Sequence, residues 1–222
     1  MTDTSFDAQT LRPALSRRQS SVRKHDAVRR AAAELFMTHG FGGVSMDAIA
    51  EAAGVAKRTL YSHFENKYAW FAAVIVERCS GVLAVPPSED EIQHAELAPL
   101  LERIAIDFLR AIYSPEQVEL LRTVIAGAKA FPEIGAMMME GPFRRSEQIV
   151  RKLLLRRVRA GELVLPQPEL AATQFLGMLK TDLQFRLLLR ATSPTVSAPE
   201  IRRIARATVS LFLHGASPRK TI

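Results

Sequence analysis

Residues 54–64 read Gly-Val-Ala-Lys-Arg-Thr-Leu-Tyr-Ser-His-Phe. Lys57, Arg58, Thr59, Tyr61, Ser62 and His63 place two cations, two hydroxyls, a phenol and an imidazole within seven positions, interrupted only by Leu60. Such density fits either a catalytic centre or a surface that reads nucleic acid. Read as a short helix beginning near Ala56, the segment turns Leu60 and Phe64, four residues apart, to one side, with Val55 closing the near end. Lys57, Arg58, Tyr61 and His63 are then left on the outer face. A short outward helix offers no cavity for catalysis. It does fit the major groove of B-DNA, where cations and hydroxyls meet phosphates and base edges.

The preceding residues complete the pattern. Ser45 is a suitable N-cap for a helix over Met46 to Ala53, in which Ile49 points to a core and the alanines at 48, 50, 52 and 53 keep the helix slim. Gly54 permits a left-handed turn, so the segment reads as helix, glycine turn, helix. Upstream, Val28, Ala31, Ala32, Leu35 and Phe36 recur at helical spacing between about Val22 and His39, and Gly40 supplies the stop. The glycines of Gly40-Phe41-Gly42-Gly43 lack the Gly-Lys-Ser/Thr ending of a phosphate loop and are read as a helix cap and tight turn.

Among 222 residues, 48% are hydrophobic and 24% charged, which places the chain with globular proteins. The net charge of +7 favours a polyanionic partner. Cys79 is the single cysteine, which excludes an internal disulfide framework and a cysteine-only metal cage; it is read as buried filler in a reducing compartment. No stretch approaches the roughly 18 consecutive apolar residues of a membrane span, so no membrane partner and a cytoplasmic location are expected.

The first twenty residues are polar and read as an arm. Arg12, Arg17, Arg18, Arg23, Lys24, Arg29 and Arg30 face only Asp26, either as a solvated charge run or as phosphate-seeking cations. A fourth helix is expected from Lys67 through Val82. Pro86-Pro87-Ser88 breaks the chain, and Glu89-Asp90-Glu91 is read as a solvated loop. Helices then follow over Leu97–Tyr113, Pro115–Ala130, Pro132–Met139, Pro142–Ala160, Pro168–Ala191 and Pro199–His214, several of them opened by proline. No segment alternates as a strand would, and the expected fold class is all-α: a helix-turn-helix domain followed by a helical bundle. The expected domains are residues 1–20 as a basic arm, 21–70 as the DNA-binding domain and 71–222 as a ligand-binding and dimerisation domain.

Ala32-Ala33-Glu34-Leu35-Phe36, His39-Gly40-Phe41, Ser45-Met46-Asp47-Ala48-Ile49-Ala50, Gly54-Val55, Thr59-Leu60-Tyr61-Ser62-His63-Phe64, Lys67 and Phe71 resemble, in order and spacing, the DNA-binding domain of TetR/AcrR-type transcriptional regulators. Farther on, Phe131-Pro132-Glu133-Ile134, the stretch from Arg157 to Leu163, Pro168-Glu169-Leu170-Ala171-Ala172 and Gln174-Phe175-Leu176-Gly177 more loosely resemble an AefR-type ligand domain. The resemblance implies a sequence-specific regulator, a repressor released from a palindromic operator by a small apolar or amphipathic effector. The alternatives are a ligand-independent or architectural DNA-binding protein, or an activator of the same fold. One position departs from the family pattern: Ala56 stands where Ser or Thr is common, and alanine cannot cap the free N–H groups there.

Carried across residue by residue, the resemblance implies groove contacts from Lys57, Arg58, Tyr61 and His63. Tyr61 and Lys67 are expected on phosphates, Thr59 on packing or a phosphate, and Ser45 at the backbone-facing start of the second helix. Arg17 and Arg18 are the arm's candidates. The dispersed His25, His39, His63, His94 and His214 have no metal-ligand spacing, and nucleophile and phosphate-loop signatures are absent, so neither enzyme, metal nor cofactor is expected.

Ile104, Phe108, Phe131, Met138, Phe143, Phe175 and Met178 are candidates to line an effector cavity, or else plain core. Three consecutive methionines suit an adaptable wall at a helix break. Trp70, Phe71 and Arg78 on the fourth helix are candidates to transmit effector binding. The last two long helices carry more apolar residues than one stripe accommodates, so a homodimer through Phe175, Leu179, Leu183, Leu187, Val209 and Phe212 is expected, with Asp182 and Arg186 paired at its rim.

Overall fold

A computed structural model describes residues 25–62, 65–79, 85–193 and 195–216. Arg17, Arg18, His63 and Phe64 lie outside these residues. The described residues form helices joined by turns, with no strand among them, in keeping with the unalternating sequence. The chain divides into two compact units, residues 1–74 and 75–222.

In the first unit, α1 covers residues 25–39, followed by α2 (Met46–Ala52), α3 (Lys57–Tyr61) and the beginning of α4 (Lys67–Cys79). Val28, Ala32, Phe36, Ile49, Leu60, Trp70, Phe71 and Val74 are fully buried. Phe36, Phe41 and Phe71 form a mutual aromatic cluster with centroids 4.9–5.8 Å apart, within the range in which aromatic pairs add to plain area burial. Two glycines make the tight connections. Gly54 takes φ +64°, and a Cβ at Gly43 would stand 2.5 Å from the His39 carbonyl oxygen, so no larger residue fits without movement.

The second unit holds the end of α4 and then α5 (Glu89–His94), α6 (Leu97–Ile112), α7 (Pro115–Ala128), α8 (Pro132–Met138), a π-helical turn (Met139–Phe143), α9 (Arg144–Arg159), α10 (Pro168–Leu188) and α11 (Ala198–Ala216). Leu100, Leu101, Ile104, Ala105, Phe108 and Leu109 give α6 one buried stripe, and it packs on α11. Helix α9 packs on α10 and α5, and α7 on α8.

Three expectations change here. Glu89-Asp90-Glu91 is not a loop but the first turn of α5. Ser88 Oγ accepts the Glu91 N–H at 3.2 Å while the Glu91 carboxylate accepts the Ser88 N–H at 2.8 Å, a reciprocal capping box, and three acidic residues suit a helix N-terminus.

The chain also does not break before Pro142. It runs from α8 into α9 through the π-helical turn, whose wider winding accommodates a residue without an N–H. Helix α10, expected unbroken to Ala191, ends at Leu188 and is kinked at Thr181, where φ is 47° and ψ −173°. That conformation is strained for a residue with a Cβ. The Tyr113 hydroxyl meets the carbonyls freed there, Leu179 O at 3.3 Å and Lys180 O. Leu183 N–H is accepted by Thr181 Oγ1 at 3.3 Å, restarting the helix.

Arg157, only 4% exposed, joins the end of α9 to the α5–α6 connection. Its guanidinium donates to both Glu162 carboxylate oxygens at 2.9 and 2.8 Å and to the Ala95 carbonyl. A buried cation persists where a carboxylate and a carbonyl hold it, although the Arg157 Nε is buried without a hydrogen-bond partner.

Candidate nucleic-acid interface and ligand pocket

Ser45 caps α2 by accepting the Ala48 N–H at 3.1 Å. Across the turn, Gly54 N–H donates to Glu51 O and Val55 N–H to Ala50 O, each at 3.0 Å, fixing where α3 begins. Ala56 stands at the α3 N-cap with extended φ/ψ (−69°, 145°) and no side-chain hydrogen bond, so the first N–H groups of α3 remain available.

Leu60 anchors α3 in the core, which leaves Lys57, Arg58 and Tyr61 exposed and Thr59 half-buried. The Thr59 carbonyl accepts the Ser62 hydroxyl at 2.7 Å. Lys57 pairs with Asp47 at 2.6 Å, and that hydrogen bond raises the Lys57 pKa above its ordinary value.

Lys67 differs from its neighbours. Its ammonium donates to the Phe41 carbonyl at 2.9 Å and lies 4.4 Å from the Phe41 ring centroid, with burial lowering its pKa. It therefore fastens the start of α4 to the turn after α1. Five of the sequence candidates for DNA contact, Ser45, Lys57, Arg58, Thr59 and Tyr61, belong to the α2–turn–α3 segment.

Within the second unit a small pocket of about 40 Å³ is lined by Cys79, Phe108, Ile112, Gln117, Leu121, Met138, Phe143, Ser146 and Gln184. Phe108, Met138 and Phe143 are three of the residues the sequence singled out. Ile104, Phe131, Phe175 and Met178 do not line it. Ile104 and Phe175 are core, and Phe175 packs edge-on against Phe212 at 5.1 Å.

Gln117, Leu121, Ser146 and Gln184 line the pocket and stand outside the sequence candidates. Gln117 and Leu121 share one face of α7 at i,i+4, a spacing that could have found them. Gln117 donates to the Arg78 carbonyl and accepts the Cys79 thiol at 3.4 Å, so the end of α4 is bound to the pocket wall. Burial pushes the Cys79 thiol up to about 11, leaving it protonated at neutral pH. Trp70 and Phe71 are fully buried in the first unit, and Arg78 contributes its backbone rather than its guanidinium to Gln117.

Of the proposed dimer residues, Phe175, Leu179, Leu187 and Val209 are buried within the protomer, whereas Leu183 and Phe212 are partly exposed. The large apolar side chains left exposed on α10, just beyond it and on α11 are Leu170, Phe185, Leu189 and Leu211. Asp182 and Arg186 do pair, at 2.8 Å on the surface. Among the described residues, no three His, Cys, Asp or Glu side chains are grouped to hold a metal, and no helix is long and apolar enough to cross a membrane.

Residues 28–74 match the family described as bacterial regulatory proteins, tetR family, and residues 99–215 match the AefR-like transcriptional repressor, C-terminal domain. The flavonoid-responsive regulator FrrA is 31% identical, with a TM-score of 0.76 over 89% of this chain and 99% of that one. A regulator from Mesorhizobium loti assigned to the TetR family is 26% identical, with a TM-score of 0.75 over 89% and 98%. MftR of Mycobacterium tuberculosis, named for mycofactocin biosynthesis regulation, is 46% identical over 55 residues; the match spans 25% of this chain and 27% of MftR. With both of its parts matched in order and along most of its length, the chain belongs to the TetR family of DNA-binding transcriptional regulators.

Proposed function

We propose that the protein is a homodimeric repressor that presents α3 to the major groove of a palindromic operator and leaves it when a small amphipathic effector enters the α6–α7–α8 pocket. The outward face of α3 carries this reading: Leu60 anchors the helix while Arg58 and Tyr61 remain exposed. Arg58 reads a base, Lys57 and Tyr61 hold phosphates or base edges, and the uncapped start of α3 takes a phosphate in place of a side-chain cap. His63, Arg17 and Arg18 belong to the same proposed surface.

Two recognition helices must match successive major grooves, about 34–36 Å apart, so the functional unit is a dimer. The exposed Phe185, Leu189 and Leu211, together with Leu183 and Phe212, supply its apolar face. An effector that binds one arrangement more tightly than the other shifts operator affinity by the same free energy. Gln117 supports a route for this coupling, because it lines the pocket and holds the last turn of α4, the helix that starts in the first unit. FrrA, named for a response to flavonoids, supports an effector of small amphipathic kind.

The test is selection of duplexes from random sequence, followed by anisotropy titration of the selected site against shuffled DNA. An inverted repeat bound as a dimer, with affinity at least about a hundredfold above shuffled DNA, is expected. Equal affinity for both sequences defeats the reading in favour of architectural binding.

A further inference from the structure

Lys180 sits at the α10 kink, half-buried, and its ammonium lies over the Phe143 ring, 4.5 Å from the centroid. Among the described residues no carboxylate pairs with it; the nearest in sequence, Asp182, is held by Arg186. Burial lowers its pKa, as expected of a cation separated from water without an anion. Among the described residues the ring is the ammonium's one partner, and such a contact is weaker than an ion pair of comparable burial.

That ring is also a wall of the pocket. Phe143 closes the π-helical turn, an irregularity associated with local adjustment in helices. The other walls are apolar or neutral: Phe108, Ile112, Leu121 and Met138, with Cys79, Gln117, Ser146 and Gln184 as hydrogen-bonding groups. At about 40 Å³ the pocket is far below the roughly 300–1,000 Å³ of a ligand-filled site, so a ligand must displace part of its lining.

We propose that the effector is an apolar monocarboxylate whose carboxylate displaces the Phe143 ring from Lys180 and pairs with its ammonium while its apolar body fills the space between α6, α7 and α8. This deepens, and rests on, the effector reading above. Displacement of Phe143 enlarges the pocket in the same step that supplies the missing anion. An uncharged analogue of equal shape lacks that compensation and binds less tightly.

The test is calorimetry on the full-length protein with hexanoate, decanoate and cinnamate, each set against its alcohol, in parallel with release from the selected operator. In the wild type at least one acid should bind about tenfold or more tightly than its alcohol. Lys180→Met should abolish that preference, leaving the alcohol within about twofold of wild type, and Lys180→Arg should retain it. Phe143→Leu, which keeps the charge and removes the ring, should bind the acid more tightly.

No binding by any acid, equal binding of acids and alcohols, or a preference that survives in Lys180→Met overturns the proposal. Should alcohols alone bind and release DNA, the effector reading stands and the carboxylate falls. Should acids bind through Lys180 without releasing DNA, the pairing stands and its role as effector falls.

Discussion

The ammonium of Lys57 lies 2.6 Å from the Asp47 carboxylate and ties together the helices on either side of the Gly54 turn. Both side chains are more than half exposed, so water and salt screen the pair and it adds little to folding. Its consequence lies in DNA binding, because it neutralises a cation of the proposed groove face. Asp47→Asn should tighten binding to duplex DNA, most visibly at low salt, with an almost unchanged melting temperature. Weaker binding by the variant, measured by anisotropy at several salt concentrations, would show instead that Asp47 positions Lys57.

Arg58 and Lys67 should separate base reading from architecture. Arg58→Ala is expected to lose about 1–3 kcal/mol on the selected operator and to relax sequence preference, with folding unaffected. Lys67→Met removes the tie to the Phe41 carbonyl and should lower the melting temperature as well as weaken binding to all sequences alike. Thermal melts beside operator and shuffled-DNA titrations decide it; a Lys67 variant with wild-type stability would free that ammonium for a purely phosphate role.

The caps of α2 and α3 make a complementary pair. Ser45→Ala should cost about 1 kcal/mol, because the Ala48 N–H loses its acceptor. Ala56→Ser should gain about 0.5–1 kcal/mol, since the N-cap backbone is already extended and only the hydroxyl is missing. Denaturant melts of both variants check the opposite signs.

Tyr113 guards the kink in α10. Tyr113→Phe leaves the carbonyls of Leu179 and Lys180 without their hydroxyl donor in a buried setting, at an expected cost of about 1–3 kcal/mol. Equal stability of the variant and the wild type would mean that solvent satisfies those carbonyls.

Cys79 predicts an alkaline signature. Its folded-state pKa is raised from the ordinary 9.0 to about 11, so the folded state holds the thiol proton more tightly than the unfolded chain. The associated stability is complete below pH 9.0 and is lost as pH rises through about 11. Cys79→Ser keeps a donor for Gln117 and does not titrate there. Melting temperatures of wild type and variant should therefore differ in slope across that window and run parallel below it.

Much of the first unit was legible without coordinates because its determinants are local. Leu60 and Phe64 at i,i+4, Gly54 in the left-handed turn and Ser45 at the cap specify helix, turn and helix within twenty residues, and the outward face of α3 follows from helical period alone. Charge alone makes the acidic start of α5 look like a solvated loop, and the Ser88–Glu91 reciprocity is what turns it into a helix cap.

What only tertiary structure decided lies where distant segments compete for the same apolar residues. Leu179, Leu187, Phe175 and Val209 look interchangeable in sequence with Phe185, Leu189 and Leu211, yet the first group fills the protomer and the second faces out. The kink at Thr181 helps set that division, because it changes which way the rest of α10 points. It depends on Tyr113, more than sixty residues away, to satisfy carbonyls that no local periodicity reveals. The pairing of Lys180 with Phe143 has the same origin. Periodicity reports which face of one helix is apolar, but the occupant of that face is selected by packing between helices.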